Sequence, residues 1–133
     1  MIDLERLFKG LADKSRLRII NLLMHGELCG CDIQYVLRAS QPNVSRHLTY
    51  LKHAGLVLDR RDGYRIFYRL ADHKQGTKNL LFEFLQPILK AEESFHRDTE
   101  LLKLAVRDGA CTLSEFRPYA AVTKQRASSG KSA

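Results

Sequence analysis

The sequence predicts a mainly α-helical domain with one small β-hairpin, and three observations lead to this class. Apolar residues recur at helical spacing over residues 3–25 and 77–106. Two shorter helical segments lie between these ranges. They are followed by residues 56–70, which are rich in strand-forming residues around an Asp62-Gly63 turn. Two short helices followed by a hairpin are typical of a winged helix-turn-helix.

The N-terminal half contains clear helix boundaries. Asp13 is placed to cap a helix that Gly26 ends, because short polar side chains favour N-caps and glycine favours helix ends. Asp32 is predicted to cap a short helix over residues 33–38. The first part of the chain is thus expected to be helical up to the hairpin.

The next helix is predicted to begin after Ser40, which is a good N-cap residue. Pro42 suits the first turn of a helix, where its missing N–H costs nothing. Val44 and Leu48 lie on one face of this helix and are expected to be buried. The helix is expected to stop near Gly55, directly before the hairpin.

The C-terminal helical range contains Pro87, which either kinks the helix or opens a second helix at that position. An apolar stripe runs along this range and is too long for one small core, so it predicts a dimer interface. The stripe consists of Leu81, Phe84, Leu85, Ile88, Phe95 and Leu102.

Length and charge suggest one domain and a tail. The chain has 133 residues, enough for one domain with a modest core. We expect residues 1–106 to form the winged helix-turn-helix and dimerisation domain, and residues 107–133 to form a C-terminal segment with a basic, disordered tail. No acidic residue follows Glu115. The net charge of +7 favours nucleic acid or another anionic partner.

Several classes of protein are disfavoured. The sequence has no apolar run near membrane-spanning length, so no membrane partner is expected. The first ten residues carry acids and lack a signal-peptide core, which predicts a cytoplasmic location. No nucleophile–base pair, phosphate loop or cofactor fingerprint occurs, so we do not expect an enzyme.

The helix after Ser40 carries polar side chains suited to reading DNA. In a helix-turn-helix the second helix lies in the major groove, where Gln and Asn can bond adenine and Arg can bond guanine. The alternative is a polar face turned to water. Residues 38–69 contain seven Lys or Arg against two Asp, and this imbalance favours DNA. The predicted contacts are Gln41, Asn43, Ser45, Arg46 and His47 on the helix, and Arg60, Arg61, Tyr64 and Arg65 on the wing.

Cys29 and Cys31 are separated by one glycine and lie at the start of a predicted helix. Three interpretations are open. Packing explains one buried cysteine better than two, and a redox pair usually has two intervening residues. A soft-metal site requires the two sulfurs to converge, which an extended or irregular segment allows, and Gly30 frees the backbone for this. A helix N-terminus also favours the thiolate form that binds metal.

Three stretches of the chain resemble the ArsR/SmtB family of bacterial metalloregulatory repressors. They are "LADKSRLRIINLLMHGELCGCDI", "SQPNVSRHLTYLKHAGLV" and "RRDGYRIFYRL". The resemblance covers residues 4 to about 105. It implies a winged-helix homodimer that binds double-stranded operator DNA and leaves it when a metal or metalloid binds. It also implies that the first and last helices form the dimer interface.

The stretch "ELCGCDI" is similar to the ELCxCDL motif of the arsenic-responsive members of this family. The resemblance implies that Cys29 and Cys31 bind As(III) or Sb(III) as inducer, with no permanently bound cofactor. Related members with cysteines in this region sense Cd(II) or Pb(II). The motif of the arsenic sensors has a third cysteine where this chain has Gln34. The third sulfur is therefore expected from Cys111, and the alternative is a site of two sulfurs plus another ligand. A regulator that responds to thiol oxidation is the remaining alternative.

Zinc sensors of the family use acidic residues and histidines on the last helix. This chain has several such residues there, but their spacing does not match the pairs of the family, and a solvated face is the preferred interpretation. These residues are Glu92, Glu93, His96, Asp98 and Glu100.

Overall fold

The computed structural model describes residues 3–71 and 77–107. Within these ranges the protein is mainly helical with one small antiparallel sheet, so the predicted winged helix-turn-helix is confirmed. The elements in chain order are α1 (Leu4–Leu11), α2 (Lys14–Leu23), β1 (Leu28–Cys29), α3 (Gly30–Leu37), α4 (Gln41–His53), β2 (Val57–Asp62), β3 (Arg65–Leu70), α5 (Thr77–Ala91) and α6 (Glu93–Arg107).

Two of the predicted N-caps are confirmed. An Asp13 carboxylate oxygen accepts a hydrogen bond from the backbone N–H of Arg16 at 3.1 Å and opens α2. The Ser40 hydroxyl accepts one from the backbone N–H of Asn43 at 3.3 Å and opens α4. These bonds satisfy backbone donors that have no partner inside the helix. The predicted helical range 3–25 is therefore two helices, with the break between Leu11 and Lys14.

The start of α3 differs from the prediction. The helix begins at Gly30, so Asp32 is its third residue and Cys29 is its N-cap. Asp32 still satisfies the helix end, but its carboxylate reaches back to the backbone N–H of Cys29 at 3.3 Å. This is the arrangement of a capping box, in which the third residue bonds the cap residue. Cys29 itself has extended backbone angles, φ −81° and ψ 160°.

The sheet has three strands in the order β1-β3-β2, all antiparallel. The predicted hairpin of β2 and β3 is confirmed, and its turn contains Gly63 at φ +68°, a conformation that favours glycine. The sequence did not predict β1. Leu28 pairs with Tyr68 and Cys29 pairs with Phe67, so the cysteine segment is part of the wing sheet.

The predicted helical range 77–106 is confirmed, but its break is not at Pro87. That proline lies inside α5, and the second helix begins at Glu93, after a bend at Glu92. The alternative in which Pro87 opens a helix is therefore wrong. A proline removes only its own N–H from the hydrogen-bond ladder, and here the helix continues beyond it.

The predicted apolar stripe divides between the core and the surface. Phe95 and Leu102 are buried within the protomer, whereas Phe84 and Ile88 are 65% and 45% exposed. Leu80, one turn before Phe84, is also exposed. None of the helices in residues 3–71 and 77–107 is both long and apolar enough to cross a membrane.

Candidate thiol site and nucleic-acid interface

The two cysteines lie at the corner where β1 turns into α3. Cys29 is the last residue of β1 and Cys31 is in the first turn of the helix. Their sulfur atoms are in contact and are paired as a disulfide, with the two Cα atoms 5.4 Å apart. On a regular helix two side chains at this spacing would diverge. They converge here because Cys29 is extended and Cys31 is helical.

Gly30 is not needed for this convergence in the way the sequence suggested. Its φ angle is not among the positive values of the chain. A Cβ added at Gly30 would meet the Tyr68 ring at 3.6 Å, which is an ordinary contact. The strand-to-helix corner, rather than a glycine-only conformation, brings the sulfurs together.

Asp32 is a neighbour of the sulfurs that the sequence interpretation missed. Its carboxylate lies 3.3 Å from the Cys29 sulfur, which can donate a hydrogen bond to it as a reduced thiol. Across residues 3–71 and 77–107, Cys29, Cys31 and Asp32 are the group of three possible ligand residues that converges, with donor atoms within 4.8 Å of one another. The capping-box spacing between Cys29 and Asp32 was the signal that could have found this contact.

A cavity of about 240 Å³ opens beside the two cysteines. The N-terminal half of α4 forms one wall through Gln41 and Ser45, and the wing forms another through Tyr64 and Tyr68. The thiols therefore lie next to both elements that a winged helix-turn-helix uses to contact DNA.

The reading helix α4 exposes most of the predicted polar side chains. Gln41, Asn43 and Arg46 are exposed and Ser45 is partly exposed, whereas Val44 and Leu48 are buried as predicted. The side chain of His47 differs from the expectation. It is only 18% exposed, and its Nδ1 lies 3.8 Å from a carboxylate oxygen of Asp13. The position of His47 on the helix turns it towards the cap of α2.

Some of the predicted DNA contacts on the wing are exposed, whereas others are buried or bonded within the protein. Arg61 and Tyr64 are exposed, Tyr64 by 63%. Arg65 is only 7% exposed, because it stands on the same face of β3 as the buried Phe67. Arg60 keeps 44% of its side chain exposed, but its guanidinium is engaged by Glu27. The hydrogen bonds that Arg60 donates to Glu27 are the main reason that the pKa of Arg60 is raised.

A family profile described as "Bacterial regulatory protein, arsR family" matches residues 13–58, the range from α2 to the start of β2. The chain is 38% identical over 117 residues to the arsenic resistance transcriptional regulator ArsR2 of Pseudomonas putida. That match covers 84% of this chain and 99% of the relative. The chain belongs to the ArsR family.

A shorter match reaches higher identity. The arsenical resistance operon repressor of Escherichia coli is 52% identical over 69 residues, which are 51% of this chain and 59% of that protein. Among solved ArsR-type structures, a homodimeric winged helix-turn-helix DNA-binding domain from Mycobacterium bovis is 34% identical with a TM-score of 0.57. The match covers 64% of this chain and 76% of the Mycobacterium bovis chain. The relatives are transcriptional regulators.

Within the part of the chain that the structure describes, the acidic residues and the histidine weighed above as zinc ligands form no converging group of three possible ligands. Glu92, Glu93, His96 and Glu100 are exposed, as expected for a solvated face. Asp98 corrects that interpretation, because it is 7% exposed and forms an ion pair with Arg18 at 2.7 Å. Cys111 and the tail lie outside the described residues.

Proposed function

We propose that the chain is a metalloid-responsive transcriptional repressor that binds operator DNA as a dimer and is released when As(III) or Sb(III) binds Cys29 and Cys31. The observation that carries the proposal is the contact between the two sulfurs at the strand-to-helix corner. Two soft donors that already converge suit a soft, thiophilic ion. The arsenic-related names of the relatives support the same class of inducer. A cytoplasmic location follows, since operator DNA of bacterial repressors lies there.

Dimerisation is supported by exposed apolar side chains on α1 and α5. Leu4 and Phe8 are 54% and 60% exposed on α1, and Leu80, Phe84 and Ile88 form a row on one face of α5. Such a patch on a protein of this size favours an interface between protomers. The homodimeric relative from Mycobacterium bovis supports this arrangement. We call α2, α3, α4 and the wing of one protomer its reading head. The two reading heads of the dimer would then contact half-sites roughly 34 Å apart.

DNA contact is assigned to the side chains that α4 and the wing expose. Arg46 is the best candidate for a base contact, because an exposed guanidinium in the reading helix can bond guanine through two donors. Arg61 and Tyr64 at the wing suit phosphate and minor-groove contact. Gln41 and Asn43 add donors and acceptors at the start of α4, where base edges are within reach.

The third donor to the metalloid is proposed to be Cys111, since As(III) prefers three sulfurs and a carboxylate is a harder ligand. Asp32 is the competing donor and would suit Cd(II) or Pb(II) better. X-ray absorption on the As(III) complex distinguishes them. Cys111→Ser should lower the sulfur count from three to two, whereas Asp32→Asn should leave it at three. An equal sulfur count in wild type and Cys111→Ser removes Cys111 from the site.

The test of the function measures operator binding with and without As(III), in the presence of a reductant. Cys29→Ser and Cys31→Ser should bind the operator like the wild type and should not be released, because a hydroxyl is not a soft ligand. Gln34→Ala, at a polar position of the same cavity that offers no sulfur, is the matched control and should still be released. A serine variant released at the wild-type As(III) concentration contradicts the proposal.

A second candidate function is a regulator that responds to thiol oxidation. The observation that favours it is the disulfide pairing of Cys29 and Cys31. The two functions separate in one experiment, because an oxidation sensor loses operator affinity on treatment with peroxide and regains it with a reductant. A metal or metalloid sensor under reducing conditions responds to As(III), Sb(III), Cd(II) or Pb(II) instead.

A further inference from the structure

A row of three residues crosses the wing sheet at the thiol site. Cys29 on β1 pairs with Phe67 on β3, and Phe67 pairs in turn with Arg60 on β2. Residues directly opposite one another on neighbouring strands point to the same face of the sheet. Cys29 and Phe67 are both buried and form a small apolar cluster, against which Cys31 packs. The Arg60 guanidinium lies over the Phe67 ring, 4.6 Å from its centre.

Glu27 links the two ends of this row, because it bonds Arg60 and lies close to Cys29 in the chain. Its two carboxylate oxygens accept hydrogen bonds from Arg60 Nε at 2.8 Å and from Arg60 Nη2 at 2.7 Å. A two-pronged bond between arginine and a carboxylate fixes both distance and orientation. The Glu27 side chain is only 13% exposed, so water competes little for this carboxylate. Glu27 is two residues before Cys29 in the chain and is thus carried by the same short segment.

We propose that Glu27 is a positioning residue that couples the thiol pair to the wing, through its two-pronged bond to Arg60. This inference rests on the proposed function and adds the route by which the thiol site acts on a DNA-contacting element. When the Cys29 segment shifts, the Phe67 pairing and the Glu27 bond shift with it, because both are anchored in that segment. Arg60 then moves β2, and with it the hairpin that carries Arg61.

A contact can couple two sites only if its free energy differs between the two states of the protein. The Glu27–Arg60 bond meets this condition because it joins the residue directly before β1 to β2, across the intervening β3. Its geometry depends on the position of β1 relative to the hairpin. A bond within one hairpin or one helix would be preserved when β1 moves, and would carry no coupling.

The wing offers a matched control in the residue of β2 that directly precedes Arg60. Asp59 forms an ion pair with Lys52 of α4 at 3.0 Å. This pair also ties the wing to the rest of the reading head, but it does not involve the segment that carries the thiols. Asp59→Asn therefore removes a wing contact of the same chemical kind without touching the proposed route.

The experiment compares the wild type, Glu27→Gln, Arg60→Gln, the double variant and Asp59→Asn. The probe is a DNA duplex selected by the protein from random sequences. Each protein is titrated onto this duplex without and with saturating As(III), and the ratio of the two affinities is the readout. As(III) affinity of the DNA-free proteins is measured through the thiolate–arsenic absorption.

We expect Glu27→Gln to reduce the affinity ratio by about tenfold, a typical size for coupling between sites. Its As(III) affinity should stay at the wild-type value, because the Glu27 carboxylate bonds Arg60 and is not a soft ligand. The double variant should show the same ratio as either single variant, since both remove one bond. Asp59→Asn should keep the wild-type ratio.

Three results would overturn the inference. They are a wild-type ratio in Glu27→Gln, an equal reduction in Asp59→Asn, and a loss of As(III) affinity that accounts for the reduced ratio. The failure of the proposed function looks different, because then the wild type itself is not released by As(III). The apo titrations add an independent readout, since a protein that had merely unfolded would not bind the selected duplex without As(III).

Discussion

Asp98→Asn is the substitution that best tests how α6 is fixed to the reading head. The Asp98 carboxylate accepts hydrogen bonds from Arg18 Nε at 2.7 Å and from Arg18 Nη2 at 3.1 Å. Arg18 is on α2, so this pair joins the head to the last helix. The Asp98 side chain is 9% exposed and the Arg18 side chain is 26% exposed. The hydrogen bonds that Arg18 donates to Asp98 are the main reason that the pKa of Arg18 is raised.

The expected loss follows from this geometry. A hydrogen bond to a charged group contributes about 1.5–3 kcal/mol, and asparagine keeps one of the two acceptor oxygens. Leaving Arg18 without its counter-charge adds a penalty, which reaches about 3–5 kcal/mol for fully buried pairs. Water reaches part of the Arg18 side chain and reduces this penalty. We therefore expect Asp98→Asn to lower the free energy of unfolding by about 2–3 kcal/mol.

The assay is urea unfolding at one fixed protein concentration, because the stability of a dimer depends on concentration. Glu100→Gln is the matched control on the same helix. Its ion pair with Lys103 is 3.3 Å long, but both side chains are more than half exposed, so the loss should stay below about 1 kcal/mol. If Asp98→Asn costs no more than Glu100→Gln, the buried pair does not hold α6 in solution.

Three further predictions concern DNA, pH and assembly. Arg46→Ala should weaken specific binding by about 1–3 kcal/mol per subunit in a titration, whereas Arg61→Ala should weaken binding to operator and random DNA equally. Burial, with Lys103 and Lys90, lowers the pKa of His25 below 6.5. The folded state thus resists protonation of His25, and the free energy of unfolding falls as the pH drops below about 6.5. The urea midpoints of His25→Gln should lack this fall. Phe84→Glu should shift the protein from dimer to monomer in sedimentation, since it places a charge in the exposed apolar row.

Local signals predicted the helices and the hairpin well. Asp13 and Ser40 cap helices through bonds to residues three positions later, and a short-range rule can find such bonds. The turn at Gly63 is equally local, because its positive φ restricts the residue type. The buried face of α4 followed from helical spacing at Val44 and Leu48.

The sequence did not predict β1, because a strand of two residues shows no alternation. Its pairing with β3 joins residues about forty positions apart, and only the tertiary fold brings them together. The sequence did not predict the bonding of Arg60 or the burial of Arg65 for the same reason. Glu27 and Arg60 are brought together by that pairing. Arg65 is buried because it lies on the same face of β3 as Phe67. Asp98 was taken as solvated because its partner Arg18 is even more remote, with a sequence separation of 80 positions.

The segment that carries the thiols belongs to three structures at once. Cys29 is a strand residue of the wing sheet, the N-cap of α3 and part of the cavity wall facing α4. A ligand that changes the geometry of this corner therefore acts on both DNA-contacting elements of its own protomer. The exposed apolar rows on α1 and α5 contain none of these residues. We therefore expect metalloid binding to change how each reading head fits its half-site and to leave the dimer assembled. Sedimentation of the As(III)-bound protein as a dimer, together with loss of operator binding, would agree with this order of events.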